Sequence, residues 1–80
     1  GKLHGNFIEY FENGNPKFKY SCEYGLYQGD YIEYWENGNI KTITPYLNDE
    51  VNGEHKHFEI NGKLLKVENY WSGSFVGYKK

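Results

Sequence analysis

Arginine is absent from this sequence of 80 residues, and nine lysines against eleven acidic residues leave a formal charge of −2. Without a basic field to hold phosphate backbones, nucleic acid is not an expected partner. Cysteine occurs once, at Cys22. An internal disulfide is therefore excluded, and the residue reads as a buried or half-buried thiol. No run of 18 apolar residues and no charged-then-apolar leader is present, so nothing reads as a helical membrane span or an export signal. The chain opens at Gly1 rather than Met, which is consistent with a leading segment cut away; complete as written, it would be expected in the cytoplasm. No segment has helical periodicity, and no GxGxxG or GKS/T stands before a helix. At this length the chain forms one domain, 1–80, and buries only about 60 to 65% of its unfolded surface, which excludes a thick two-layer core.

What the sequence does contain is a repeat. "ENGN" occurs at Glu12-Asn13-Gly14-Asn15 and again at Glu36-Asn37-Gly38-Asn39. At that spacing the chain divides into copies at 5–28, 29–52 and 53–76, with a partial fourth opening at Gly77 and no insertion between them. A fixed period settles the architecture before any single residue is interpreted.

The repeating unit is β. Aromatic and β-branched residues crowd Phe7-Ile8-Glu9-Tyr10-Phe11, Tyr31-Ile32-Glu33-Tyr34-Trp35 and Leu64-Leu65-Lys66-Val67, and Gly, Asn or Asp bounds each segment. Asn13-Gly14, Asn37-Gly38 and Asn61-Gly62 mark tight hairpin turns, where glycine takes positive φ at little steric cost. Seven strands are expected, near 5–11, 15–24, 29–35, 39–48, 53–60, 63–71 and 75–79, joined as an antiparallel meander. A three-residue loop, a type I turn closed by Gly14 in the left-handed region, sets Tyr10 opposite Pro16. Plain alternation from that pair predicts Ile8, Tyr10, Pro16, Phe18, Tyr20, Cys22 and Tyr24 on one face. Phe7, Phe11, Tyr31, Trp35, Ile43, Leu47, Leu65, Val67 and Trp71 then fall on the other, among charges. Seven strands about 4.8 Å apart give a sheet roughly 30 Å wide with no second layer.

The spacing Gly-x4-aromatic-x2-Asn-Gly-x-apolar, followed by an aromatic and a Gly before the next copy, resembles the MORN repeat, specifically its bacterial variant. The resemblance runs from Gly5 to Gly77. It implies a single-layer, all-β antiparallel meander of stacked hairpins that serves as a platform for protein association. Some bacterial members are described as antitoxin components of toxin-antitoxin modules, so masking of a partner toxin is an alternative. Other members are associated with anionic phospholipids; here the lysines are scattered among acids, apart from Lys79 and Lys80, and a membrane surface is not the expected partner. The sequence departs from the pattern at Asp49, where positions 25 and 73 carry Gly, and in the third copy, where His55 and Glu59 replace aromatics.

Three sets of residues bear on chemistry. Glu9, Glu12, Glu33 and Glu36 form two carboxylate columns, but pairs two strands apart, about 9 to 10 Å, on an open sheet lack the desolvation that acid-base catalysis needs. They read as turn formers and as partners of Lys17, Lys19 and Lys41. His55, His57 and Glu59 share one strand face, yet a single flat strand converges too few ligands for a tetrahedral metal site, so no metal is expected. Cys22 has no neighbouring His in sequence and stands in an aromatic column, so it does not read as a nucleophile. The expectation is a non-catalytic domain without cofactor. Tyr10, Phe18, Tyr20, Tyr34, Tyr46, Trp35 and Trp71 are its candidate protein-binding residues, and Asn13, Gly14, Asn37, Gly38, Asn61 and Gly62 are its turn formers. Aromatic residues on both faces, together with two open edges, further predict a dimer or higher self-association.

Overall fold

The computed structural model describes residues 4–78, so Lys79 and Lys80 lie outside the described residues. The strands are β1 (Gly5–Tyr10), β2 (Pro16–Glu23), β3 (Leu26–Tyr34), β4 (Ile40–Leu47), β5 (Glu50–Val51), β6 (Gly53–Phe58), β7 (Leu64–Trp71) and β8 (Ser74–Tyr78). All pair antiparallel in one sheet of order β1-β2-β3-β4-β6-β7-β8, with β5 also on β4. The two-residue β5 and β6 share one lane beside β4, interrupted at Asn52, so the expected seven-lane meander is present with its fifth lane broken. Strands β3 and β8 begin earlier than the period suggests, because two-residue turns pair Glu23 with Leu26 and Trp71 with Ser74.

The sheet measures 39 × 32 × 10 Å, one layer thick. Its accessible surface of 5576 Å² exceeds the ~5000 Å² of a compact monomer of this mass. Among the described residues only Cys22, Thr44 and Val67 are buried. Cross-strand rows rather than a core therefore hold the fold.

The duplicated ENGN has a structural cause in each of its asparagines. Phe11 N–H donates to Asn15 C=O at 2.8 Å and Gly14 N–H to Phe11 C=O at 3.0 Å, closing the expected three-residue loop; Gly14 sits at φ 90°. Asn13 Oδ1 accepts from Asn15 N–H at 2.9 Å inside the turn, while the Nδ2 groups of Asn13 and Asn15 both donate to Glu36 C=O of the next turn, at 2.9 and 2.8 Å. Asn37 and Asn39 repeat this on Ile60 C=O, both at 2.9 Å. Each asparagine pair thus shapes one turn and fastens it to the next, at about 1 kcal/mol per bond.

The opposite edge uses two-residue turns with both central residues at positive φ, as hairpin twist prefers. Asp49 holds φ 72° without being glycine. It is compensated by a clamp on the preceding repeat: its carboxylate accepts from Tyr27 N–H at 2.9 Å, and its own N–H donates to Tyr27 C=O at 3.0 Å.

The turn register is as expected, with Tyr10 opposite Pro16, Tyr34 opposite Ile40 and Phe58 opposite Leu64. One step further, each hairpin bulges. Glu9 faces Phe18, Glu33 faces Thr42 and His57 faces Lys66, leaving Lys17, Lys41 and Leu65 as extra, exposed residues. A bulge reverses the alternation beyond it, so the predicted faces are overturned. Phe18, Tyr20, Cys22 and Tyr46 share a face with Phe7 and Tyr31, while Tyr10, Tyr34 and the Pro16/Ile40/Leu64 column lie on the other. That second face carries the row Ile8, Lys19, Ile32, Ile43, Lys56, Val67 across six lanes.

Candidate functional site

The bulges gather the aromatic residues of the first two repeats onto one side. Phe7 stacks on Tyr20 with ring centroids 5.3 Å apart, Tyr20 on Tyr31 at 5.2 Å, and Phe18 on Tyr31 at 5.9 Å. Tyr27 stands edge-on to Tyr20 at 5.3 Å and meets Tyr46 at 5.1 Å. All six rings are half-buried against one another, with no layer above them. Burial raises the phenol pKa of Tyr31 and of Tyr46 above 10.0, reinforced by neighbouring Tyr27 and by Glu33 or Asp49. Both stay neutral hydrogen-bond donors at ordinary pH, which gives the face polar tips on an apolar body.

Of the predicted binding residues, Phe18, Tyr20 and Tyr46 lie in this cluster. Tyr10 and Tyr34 do not: Tyr10 is 56% exposed on the other face, and the Lys19 ammonium lies 5.7 Å from the Tyr34 ring. Trp35 is capped by Lys41 Nζ at 4.8 Å, and its indole N–H is buried with no hydrogen-bond partner among the described residues. Trp71, at 69% exposure, closes β7 at the turn edge. Phe7, Tyr27 and Tyr31 complete the cluster and were not among the candidate residues. The bulge at Lys17 sets Phe7 on the face of Phe18 and Tyr20, and the two-residue turn that starts β3 at Leu26 adds Tyr27; neither has a residue signature as plain as Asn-Gly.

The same face continues into the third repeat with different chemistry. The row Glu9, Phe18, Glu33, Thr42, His57, Lys66 crosses six lanes, and the adjoining row sets His55 opposite Glu68. His57 Nε2 approaches Glu68 Oε1 at 2.6 Å and His55 Nδ1 lies 3.6 Å from the same oxygen, with the imidazole centroids 4.3 Å apart. Their side chains keep only 20, 24 and 15% exposure for His55, His57 and Glu68. Burial and the neighbouring His57 hold the His55 pKa below its usual value, so its ring is neutral at ordinary pH. The hydrogen bond from His57 lowers the pKa of the Glu68 carboxyl, which stays ionised. Glu68 was absent from the sequence reading, which paired these histidines with Glu59; plain alternation sets Val67 and Leu65 opposite them.

Glu12 and Glu36 of the carboxylate columns line an open concavity with Tyr10, Phe11, Asn13 and Lys17, which leaves them exposed. Glu9, Glu12, Glu33 and Glu36 are exposed, with Glu9 in an ion pair to Lys17 at 3.8 Å and Glu33 accepting from the Thr42 hydroxyl at 3.2 Å. Lys19 and Lys41 sit over rings rather than on carboxylates. Cys22 is a buried free thiol beneath the aromatic face, opposite Tyr27.

Compared with known proteins, the chain matches a family model described as MORN repeat variant over residues 3–21 and 27–48, together just over half of its length. No curated protein and no solved structure matches it.

Proposed function

Because the chain belongs to the MORN repeat variant family, we propose that it is a platform that binds a protein partner through the aromatic face of its first two repeats. The family is a non-catalytic repeat family whose members are commonly protein or lipid interaction modules. One observation supports protein in particular. Six half-buried rings, Phe7, Phe18, Tyr20, Tyr27, Tyr31 and Tyr46, form one contiguous patch on a sheet only 10 Å thick, with phenol hydroxyls at its surface. Tyrosine-rich patches suit protein interfaces, where large rigid rings bury area at low entropy cost while their tips hydrogen-bond. A lipid surface would call for a polybasic face, and the ring face carries Glu9 and Glu33 beside its rings.

The test is affinity capture with the protein as bait, read by mass spectrometry, beside a Tyr20→Ser/Tyr31→Ser variant. A partner held by the native protein should be lost from the variant, and the reconstituted pair should weaken by at least about 2 kcal/mol, as expected for central aromatic anchors. Equal capture by a folded variant would refute the assignment of the face.

A further inference from the structure

We infer that His55, His57 and Glu68 form a binding site for a single transition-metal ion of the zinc class. The inference concerns the third repeat and stands apart from the aromatic patch of the first two. A one-strand histidine pair supplies two ligands; the bulge at Leu65 adds the third by turning Glu68 onto the same face from β7. One ligand atom from each residue lies within 4.8 Å of the other two, with separations of 2.6 and 3.6 Å to the carboxylate oxygen. In a tetrahedral zinc site with bonds of 2.0 to 2.2 Å, ligand atoms are about 3.4 Å apart. The two separations to the carboxylate bracket that edge, and the imidazole nitrogens lie within 4.8 Å of each other, so an ion would seat between three ligand atoms already close to its own spacing.

The donor set selects the ion. Two imidazoles with one carboxylate suit zinc, nickel or copper, whereas calcium and magnesium take oxygen-only shells. Both histidines can present a lone pair while neutral. His57 Nε2 now hydrogen-bonds Glu68; to offer that nitrogen to a metal the neutral ring takes the other tautomer, its one proton moving from Nε2 to Nδ1 by exchange with solvent, with no net release. Three protein ligands leave a fourth position open, and it faces the solvent above the sheet, the arrangement of sites that keep an exchangeable water. Charge is not prohibitive. Lys66 flanks His57 but is exposed, and Glu33 lies on the same row across Thr42.

The repeat supplies variants that preserve the fold, because the second repeat fills the same columns with Tyr31 and Thr44. His55→Tyr and Glu68→Thr therefore install residues the scaffold already accommodates. The experiment is isothermal titration of zinc chloride into the protein without a polyhistidine tag, paired with the visible absorption of bound Co²⁺ as a report of tetrahedral geometry. One ion per chain is expected, with affinity at least about tenfold weaker in each variant, since even indirect partners of metal ligands are worth 10- to 100-fold. His4→Ala, a histidine that packs on Tyr24 instead, should bind as the native protein does. Circular dichroism confirms that each variant folds. Absence of saturable zinc binding by the native protein overturns the inference, as does an affinity unchanged in either folded variant.

Discussion

Replacing Asn37 with Ala removes two hydrogen bonds of different reach. Within its own turn, Asn37 Oδ1 accepts from Asn39 N–H at 2.9 Å; between turns, its Nδ2 donates to Ile60 C=O at 2.9 Å. Both are exposed, so water satisfies the freed groups, and Ile60 C=O keeps its bond from Asn39 Nδ2. Each loss then lies toward the lower end of the usual range, and the sum is about 1 to 2 kcal/mol. For a domain of this size that is a fall in Tm of about 5 to 10 °C. Asn61 occupies the same phase and makes the same turn bond, to Lys63 N–H at 3.0 Å, but no bond to a following turn among the described residues. Asn61→Ala should therefore cost about half as much, and the difference isolates the link between repeats. Asn13→Ala, which cuts the bond to Glu36, should match Asn37→Ala. Thermal melts followed by circular dichroism decide the order. An Asn61→Ala variant as destabilised as Asn37→Ala would show that the inter-turn bonds contribute nothing.

Gly38 holds φ 94° and Gly62 the same, and a Cβ at Gly38 would meet nothing nearer than Asn15 Nδ2 at 3.6 Å. Gly38→Val and Gly62→Val should each lose at least about 1 kcal/mol through backbone strain alone, and unchanged melting would refute the turn geometry. Tyr31 and Tyr46 have folded pKa values above the unfolded 10.0, so their contribution is complete below pH 10 and is lost as pH rises through the folded values. Tyrosinate absorbance should accordingly show phenols titrating later in the native than in the urea-unfolded protein, and the lag should shrink in Tyr31→Phe; coincident curves would count against a packed ring cluster. Ile8, Tyr10, Leu64, Leu65 and Phe75 are exposed, and β1 and β8 each have one unpaired side among the described residues. Light scattering should find at least a dimer at micromolar concentration, with Tyr10→Lys and Trp35→Lys, on opposite faces, differing in how far they dissociate it; a strict monomer would refute the expectation.

The architecture was legible because it depends on period and turn chemistry. Three in-phase Asn-Gly steps fixed the hairpins, their three-residue loops and the single layer, and Tyr10 does face Pro16. The faces were not legible. A bulge one residue beyond that pair has no residue signature comparable to Asn-Gly, since Lys17, Lys41 and Leu65 share only exposure. Without it, alternation sets Tyr10 and Tyr34 on one face with Phe18 and Tyr20, sets Phe7 and Tyr31 on the other, and places Leu65 and Val67 rather than Glu68 across from the histidines, which leaves Glu59 as the carboxylate that shares their strand face. One extra residue in a strand thus redistributes every candidate site on the sheet, while the strand count changes only by the break at Asn52.

The columns explain how one scaffold carries two chemistries. Phe7, Tyr31 and His55 occupy equivalent positions, as do Glu9, Glu33 and His57, and Tyr20, Thr44 and Glu68. Turn bonds and cross-strand rows hold each repeat, and of the three buried described residues Cys22 and Thr44 lie on the ring face and Val67 on the other, so a substitution in these columns meets neighbouring rows rather than a core. In the first two repeats these columns hold the stacked rings Phe7, Tyr20 and Tyr31 beside Glu9, Glu33 and Thr44; in the third they hold imidazoles and a carboxylate, and the ring chain resumes beyond them with Tyr70, Phe75 and Tyr78. His55 touches both parts, 4.3 Å from His57 and 5.9 Å from Tyr70 between ring centroids. An ion held there would draw the His55 ring toward Glu68 and tilt it against Tyr70, whereas the Phe7-to-Tyr46 patch, separated from it by Thr42 and Thr44, would keep its geometry. A single-layer repeat can in this way place independent surfaces side by side, each set by substitution within a column rather than by a change of fold.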